Sequence, residues 1–189
     1  MNITSDAMLY STHERGGPMS YTCRALLVML ALSLSVGCAK NPQEHFVQGD
    51  SYFEQGMYSE AIEAYKEAID IKPDWALAHN NLGLVYEKIN KDDLAIEEYK
   101  EAIRLDPELA EAHYNLASIH YDRRSFSQAI TCYTKALEMN PNMAEAHYNL
   151  GAAYYETRQY DLARKEAMEA QKLGFNAKAL LDALDSVSR

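Results

Sequence analysis

The sequence predicts an all-α fold, a solenoid of four helical hairpins closed by a capping helix. Three observations predict it. The chain matches itself at a shift of 34 residues, so that Ala110 to Asn142 meets near copies upstream at Leu77 to Pro107 and downstream at Ala144 to Gly174, with a fainter copy at Glu44 to Pro73. Self-similarity at this period marks units that cannot bury their apolar side alone and so stack on their neighbours. Within each unit, small, apolar and aromatic residues recur at i, i+3, i+4 and i+7, one face of a helix. Finally, Pro73, Pro107 and Pro141 recur in phase, where proline cannot continue a helical hydrogen-bond ladder.

Composition sets limits on function. Of 189 residues, 48% are hydrophobic and 24% charged, ordinary values for a globular chain, and the net charge is −10. Residues 1–37 hold two bases (Arg15, Arg24) and two acids (Asp6, Glu14), so the remainder keeps the same balance. A body this acidic argues against nucleic-acid partners, which need a basic face to displace counterions from phosphate. The three cysteines, Cys23, Cys38 and Cys132, offer no disulfide framework. Cys132 falls inside a predicted helix, where a lone thiol serves as a small core residue.

Residues 1–18 show no periodicity and read as a disordered lead or a mis-called start, with Met19 as the working one. Residues 19–37 read as an export signal. Arg24 precedes the apolar run Ala25 to Val36, whose 12 residues reach about 18 Å as a helix, short of the roughly 30 Å hydrocarbon core. The run ends Leu34-Ser35-Val36-Gly37-Cys38, which resembles the lipobox of bacterial lipoproteins, although Ser35 stands where that family prefers Leu. The resemblance implies that Cys38 is acylated and becomes the mature N-terminus, held firmly by more than one acyl chain. The same resemblance implies, from Ala39 rather than Asp after the cysteine, the outer membrane, facing the periplasm. Residues 38–41 form only a short tether, so the array is expected close to the bilayer.

The units run over residues 42–75, 76–109, 110–143 and 144–175, with 176–189 as capping helix and tail. Position 4 is His45, His79, His113 and His147; position 7 is Gln48, Leu82, Leu116 and Leu150. Position 8 is Gly49, Gly83, Ala117 and Gly151, and position 11 is Tyr52, Tyr86, His120 and Tyr154. The second helix of each unit carries Ala61, Ala95, Ala129 and Ala163 at position 20. Tyr65, Tyr99, Tyr133 and Ala167 follow at 24, then Ala68, Ala102, Ala136 and Ala170 at 27. Small residues at 8 and 20 let paired helices approach, with the aromatic at 24 expected to fill the wider end. Asn176 can cap a last helix, Ala177 to Val187, with Leu180, Leu181, Leu184 and Val187 on one side.

These positions resemble the tetratricopeptide repeat: an aromatic at 4, Leu-Gly at 7–8, Tyr at 11, Ala at 20, an aromatic at 24, Ala at 27 and Pro at 32. Departures are His at 4, Gln48 at 7 in the first unit, and Ala167 and Phe175 in the last. The resemblance implies a right-handed α-solenoid whose concave groove binds another protein or an extended peptide.

The histidines in phase do not read as a metal site. Neighbouring helices pack 8–10 Å apart, whereas one zinc needs ligands near 2 Å; these rings are expected to pack between helices, and His120 likewise. The sequence holds no phosphate loop, HExxH, CxxC or GxSxG, so no enzyme, cofactor or small-molecule substrate is expected. Glu63, Glu67, Glu97, Glu98 and Glu101, beside Lys66 and Lys100, read as solvated helix faces.

Positions 2, 5, 6, 9, 12 and 13 of each first helix point away from the packing stripe and, by the resemblance, line the groove. The candidate peptide-binding residues are Asn80, Asn81, Tyr114, Asn115, Tyr121, Tyr148, Asn149 and Tyr155. An asparagine column at position 6 can pair with peptide backbone, since each amide is both donor and acceptor. Position 2 (Gln43, Leu77, Glu111, Glu145) lacks the bases that related domains use to grip chaperone carboxylates. With Asp50, Glu54, Glu87, Asp122 and Glu156 nearby, neutral to basic partners are expected. The expected function is thus a lipid-anchored scaffold of the bacterial envelope. Narrower roles that fit the same features are a pilotin-type assembly factor for a secretin of pili or secretion, and a non-catalytic adaptor of peptidoglycan enzymes.

Overall fold

The computed structural model describes residues 41–187, and the expectations for the export signal and Cys38 lie outside the described residues. Among the described residues there are nine helices and no strand: α1 (Pro42–Glu54), α2 (Tyr58–Ile71), α3 (Ala76–Lys88), α4 (Asp92–Leu105), α5 (Ala110–Asp122), α6 (Phe126–Met139), α7 (Ala144–Glu156), α8 (Tyr160–Lys172) and α9 (Lys178–Val187). The first eight pair as four antiparallel hairpins. Each hairpin's two helices share the largest interface, and each second helix then packs on the first helix of the next hairpin. The result is an all-α solenoid.

Local chemistry sets the helix ends. Asn41 caps α1, its Oδ1 accepting from the Gln43 N–H at 3.0 Å, and Pro42 takes the first turn, where no N–H is needed. Every first helix ends in the same left-handed residue at position 15: Gly56 (φ 73°), Asn90 (58°), Arg124 (58°) and Arg158 (59°). The N–H of position 16 then reaches back to the carbonyl of position 11, as in Met57 to Tyr52 at 2.9 Å and Gln159 to Tyr154 at 2.8 Å. This is a Schellman closure, and it fixes the tight turn inside each hairpin. The second helices α2, α4 and α6 stop two residues before their prolines. The intervening Lys72, Asp106 and Asn140 are all extended (φ −132° to −136°), as the proline ring demands of its predecessor. Repeat four has Phe175 in place of proline and ends instead at Gly174 (φ 93°).

Packing inside each hairpin turns on positions 8 and 24. The Tyr65 and Tyr99 rings lie directly over Gly49 and Gly83, so close that a Cβ there would meet them at 2.7 and 2.6 Å. The aromatic at 24 therefore does not fill a wide end, as expected, but occupies the space that the missing Cβ leaves. Both rings are fully buried, as is Tyr133 beside Ala117 in repeat three.

Between hairpins the contact uses positions the sequence pattern left unread. Positions 3 and 10 are fully buried in the later repeats: Ala78 and Val85, Ala112 and Ile119, Ala146 and Ala153. In the first repeat they are Glu44 and Ser51, both exposed. Trp75, which precedes α3, stacks on Phe46 with ring centroids 4.5 Å apart. At the other end α9 begins at Lys178, one residue later than expected, with Asn176 Oδ1 accepting from the Lys178 N–H. Leu180 and Leu184 bury against the alanines of α8, but Val187 is 44% exposed and does not join them.

Candidate protein-binding groove

Two kinds of side-chain link run from repeat to repeat. The first involves the position-6 asparagines. Asn81 Nδ2 donates to Asp50 Oδ1 at 3.0 Å, Asn115 Nδ2 to Asn80 Oδ1 at 3.0 Å, and Asn149 Nδ2 to the Tyr114 hydroxyl at 3.1 Å. One N–H of each amide is thus committed to the preceding hairpin. The amide oxygens of Asn115 and Asn149 accept no hydrogen bond among the described residues and remain open to a ligand. Asn81 Oδ1 is met by Asn80 Nδ2 at 3.3 Å. Asn80 itself, expected among the peptide-binding residues, is only 3% exposed, and its amide is taken up by Asn81 and Asn115.

Tyr114, Tyr121, Tyr148 and Tyr155 are half-buried, each packed against a neighbouring aromatic ring. Tyr114 packs on Tyr133, Tyr121 on Phe126, Tyr148 on Phe175 and Tyr155 on Tyr160, at centroid distances of 5.7, 5.4, 4.9 and 5.7 Å. Such rings present a rigid apolar body with a polar tip, the type of surface that binds protein segments.

Carboxylates dominate this face. Positions 2, 9, 12 and 13 supply Asp50, Glu54, Glu87, Glu111, Asp122, Glu145 and Glu156 against the single base Lys88. The core tyrosines reach out to some of them: Tyr65 donates to Asp50 Oδ1 at 2.6 Å and Tyr99 to Glu87 Oε2 at 2.9 Å. Burial, and then the adjoining carboxylates, push the hydroxyl pKa of both well above the usual tyrosine range. Tyr114 and Tyr121 are pushed up too, by burial first and then by the fields of Glu145 and Glu156 respectively.

The second link runs along the other side of the first helices and uses the position-4 histidines. The Nε2 atoms of His79, His113 and His147 donate to the carbonyls of Pro73, Pro107 and Pro141, six residues upstream, at 3.0–3.2 Å. Each ring thereby ties its hairpin to the loop that ends the previous one. His79 Nδ1 also lies 2.7 Å from Glu98 and His147 Nδ1 2.7 Å from Glu166. Glu98 is therefore not part of a solvated face, as expected, but a half-buried partner, and Glu166 is buried. Position 23 in repeat three is Cys132, half-buried with its thiol pKa pushed up by burial, so His113 keeps only the proline contact. The matched register of His at 4 and Glu at 23 in repeats two and four is the sequence signal for this pairing. No group of His, Cys, Asp or Glu among the described residues is arranged to hold a metal ion.

A stack of hairpins with amides, tyrosines and carboxylates on one face defines a helical-repeat scaffold for binding protein. The chain belongs to the tetratricopeptide repeat family. Models described as TPR repeat match residues 49–90, 88–123 and 117–157, and one described as tetratricopeptide repeat matches 144–173. Among solved structures, the crystal structure of MamA is similar at 25% identity and a TM-score of 0.66, over 79% of this chain and 85% of that one. The first TPR of Spaghetti (RPAP3), bound to the HSP90 peptide SRMEEVD, is similar at 23% identity and a TM-score of 0.61, over 64% of this chain and 96% of that one. No curated protein matches the sequence.

Proposed function

We propose that the protein is a non-catalytic scaffold that holds a neutral to basic protein segment in its groove, while Cys38 anchors it by lipid to a bacterial envelope membrane, the outer one facing the periplasm. The observation that carries the binding role is the row of half-buried tyrosines beside open amide oxygens on a face with seven carboxylates and one base. Opposite charge on the partner both speeds encounter and suppresses wrong partners. An acidic segment such as SRMEEVD, the peptide held by the RPAP3 module, meets like charge here and is expected not to bind.

The test reverses exposed groove charges that have no packing role. Full-length chain carrying Glu111→Lys, Asp122→Lys and Glu156→Lys should melt at the unaltered temperature yet lose the partner that the parent chain captures from envelope extracts. Equal capture by the triple variant would retire the groove. Anchoring is tested separately, by radiolabelled palmitate incorporation that Cys38→Ser abolishes. A Cys38→Ser chain that still takes up label refutes the anchor.

A further inference from the structure

Between repeats one and two the groove deepens into a hollow of about 200 Å³, lined by Asp50, Phe53, Glu54, Tyr65, Asn81 and Leu84. Its composition is divided. Phe53 and Leu84 give apolar walls, and the floor is a polar junction in which one oxygen of Asp50 accepts from both Tyr65 (2.6 Å) and Asn81 (3.0 Å). Two donors on one oxygen fix the carboxylate's orientation before any ligand arrives, and its other oxygen has no partner among the described residues. Glu54, one helical turn on from Asp50, is exposed and has no ion-pair partner among the described residues. The hollow has no base in its lining, whereas some carboxylates elsewhere in the fold are met by cations, as in Arg123 with Asp93 at 2.9 Å and Arg164 with Asp185 at 2.7 Å.

We propose that this hollow is a specificity pocket for one lysine or arginine side chain of an extended segment lying in the groove. The shape matches a side chain with an apolar stem and a charged head: methylenes run along Phe53 and Leu84, and the cation reaches Asp50 and Glu54. A held carboxylate loses little freedom when it pairs, so the hydrogen bond to the charge is made without first ordering its acceptor. The hollow sits at the first-repeat end of the groove, while the tyrosines line repeats three and four. The pocket therefore also fixes the direction in which the segment lies. This assignment rests on the groove reading above and adds a residue type, a position and a polarity to it.

The test uses the full-length chain in detergent and a display library of random 12-residue peptides, followed by synthesis of the selected sequences. Selected peptides are expected to share Lys or Arg at one fixed place. Replacing that residue by norleucine should weaken binding about tenfold for the parent chain, the size of one charge-assisted contact. The same replacement should cost clearly less than tenfold in Glu54→Gln and in Asp50→Asn, since each leaves the cation one carboxylate, and less than twofold in the double variant. Glu54→Gln alters an exposed, unpaired group, and Asp50→Asn keeps an oxygen for Tyr65 and Asn81, so the pair separates lost pairing from lost folding. Peptides that lose affinity for the Glu111, Asp122 and Glu156 charge-reversed chain, yet show no fixed base or the same norleucine penalty in both variants, overturn the pocket and leave the groove standing. A library that yields no binder removes the groove reading and the pocket with it.

Discussion

Gly83→Ala sets two known effects against each other at a single atom. The new methyl would lie 2.6 Å from Cε1 and 2.8 Å from Cδ1 of Tyr99, where carbon atoms rest at roughly 3.5–4 Å. The ring must retreat by about 1 Å. It has nowhere to go, because Tyr99 is fully buried and its hydroxyl is tied to Glu87 at 2.9 Å. Overpacking of this kind costs about 1–3 kcal/mol. Alanine in a helix interior returns about 1 kcal/mol relative to glycine. The net expectation is a loss of about 0–2 kcal/mol, read by urea unfolding followed through the helical circular dichroism signal. Tyr99→Leu in the same chain removes the rigid ring, so Gly83→Ala should then become neutral or stabilising. The reverse change in repeat three, Ala117→Gly, relieves nothing because Tyr133 already stands beside a methyl, and should simply cost about 1 kcal/mol of helix preference. If Gly83→Ala stabilises the parent chain by the full propensity gain, the tyrosine does not sit where we place it.

Two further outcomes follow from the repeat geometry. Arg158 holds φ at 59°, a conformation that costs a residue with a Cβ about 1–2 kcal/mol. Arg158→Gly should therefore raise stability by about 0.5–1 kcal/mol after the added unfolded-state entropy, and a lower melting temperature would contradict the left-handed turn. His79 faces two acceptors, the Glu98 carboxylate and the Pro73 carbonyl, and the hydrogen bond to Glu98, opposed in part by burial, raises its pKa above 6.5. A raised folded pKa stabilises fully below the unfolded value and is lost as pH climbs through the folded one. Melting temperature should thus fall as pH rises from about 6.5, and Glu98→Gln should flatten that slope; an unchanged slope would show that the pair does not titrate.

The repeat phase was legible because each unit states it several times. Pro73, Pro107 and Pro141 end helices, Ala61 and its equivalents repeat in register, and one error cannot disguise a fourfold pattern. The same redundancy made the family visible. What escaped notice depends on three-dimensional neighbours rather than on periodicity. Ala78 and Val85 look like unremarkable helix residues, and only the previous hairpin explains their complete burial. Arg124 and Arg158 hide a left-handed turn that Gly56 and Asn90 announce at the same position. Glu98 and Glu166 resemble any surface glutamate until the histidine nineteen residues earlier is placed against them. The position-6 asparagines were read as a column on the face away from the packing stripe, and their links to the preceding hairpin span up to 35 residues and leave no local trace.

Glu44 and Ser51 stand where the later repeats carry buried alanine, valine and isoleucine. An extra hairpin spliced in ahead of residue 42 would press an oily surface onto a hydrated carboxylate, so lengthening the array by insertion at that seam carries a desolvation penalty. Duplicating residues 76–109 in tandem meets no such obstacle, because both borders of that unit already match the seams it would rejoin. Lengthened versions with a longer binding channel are therefore best made by splicing in the middle, with the outermost units left as they are.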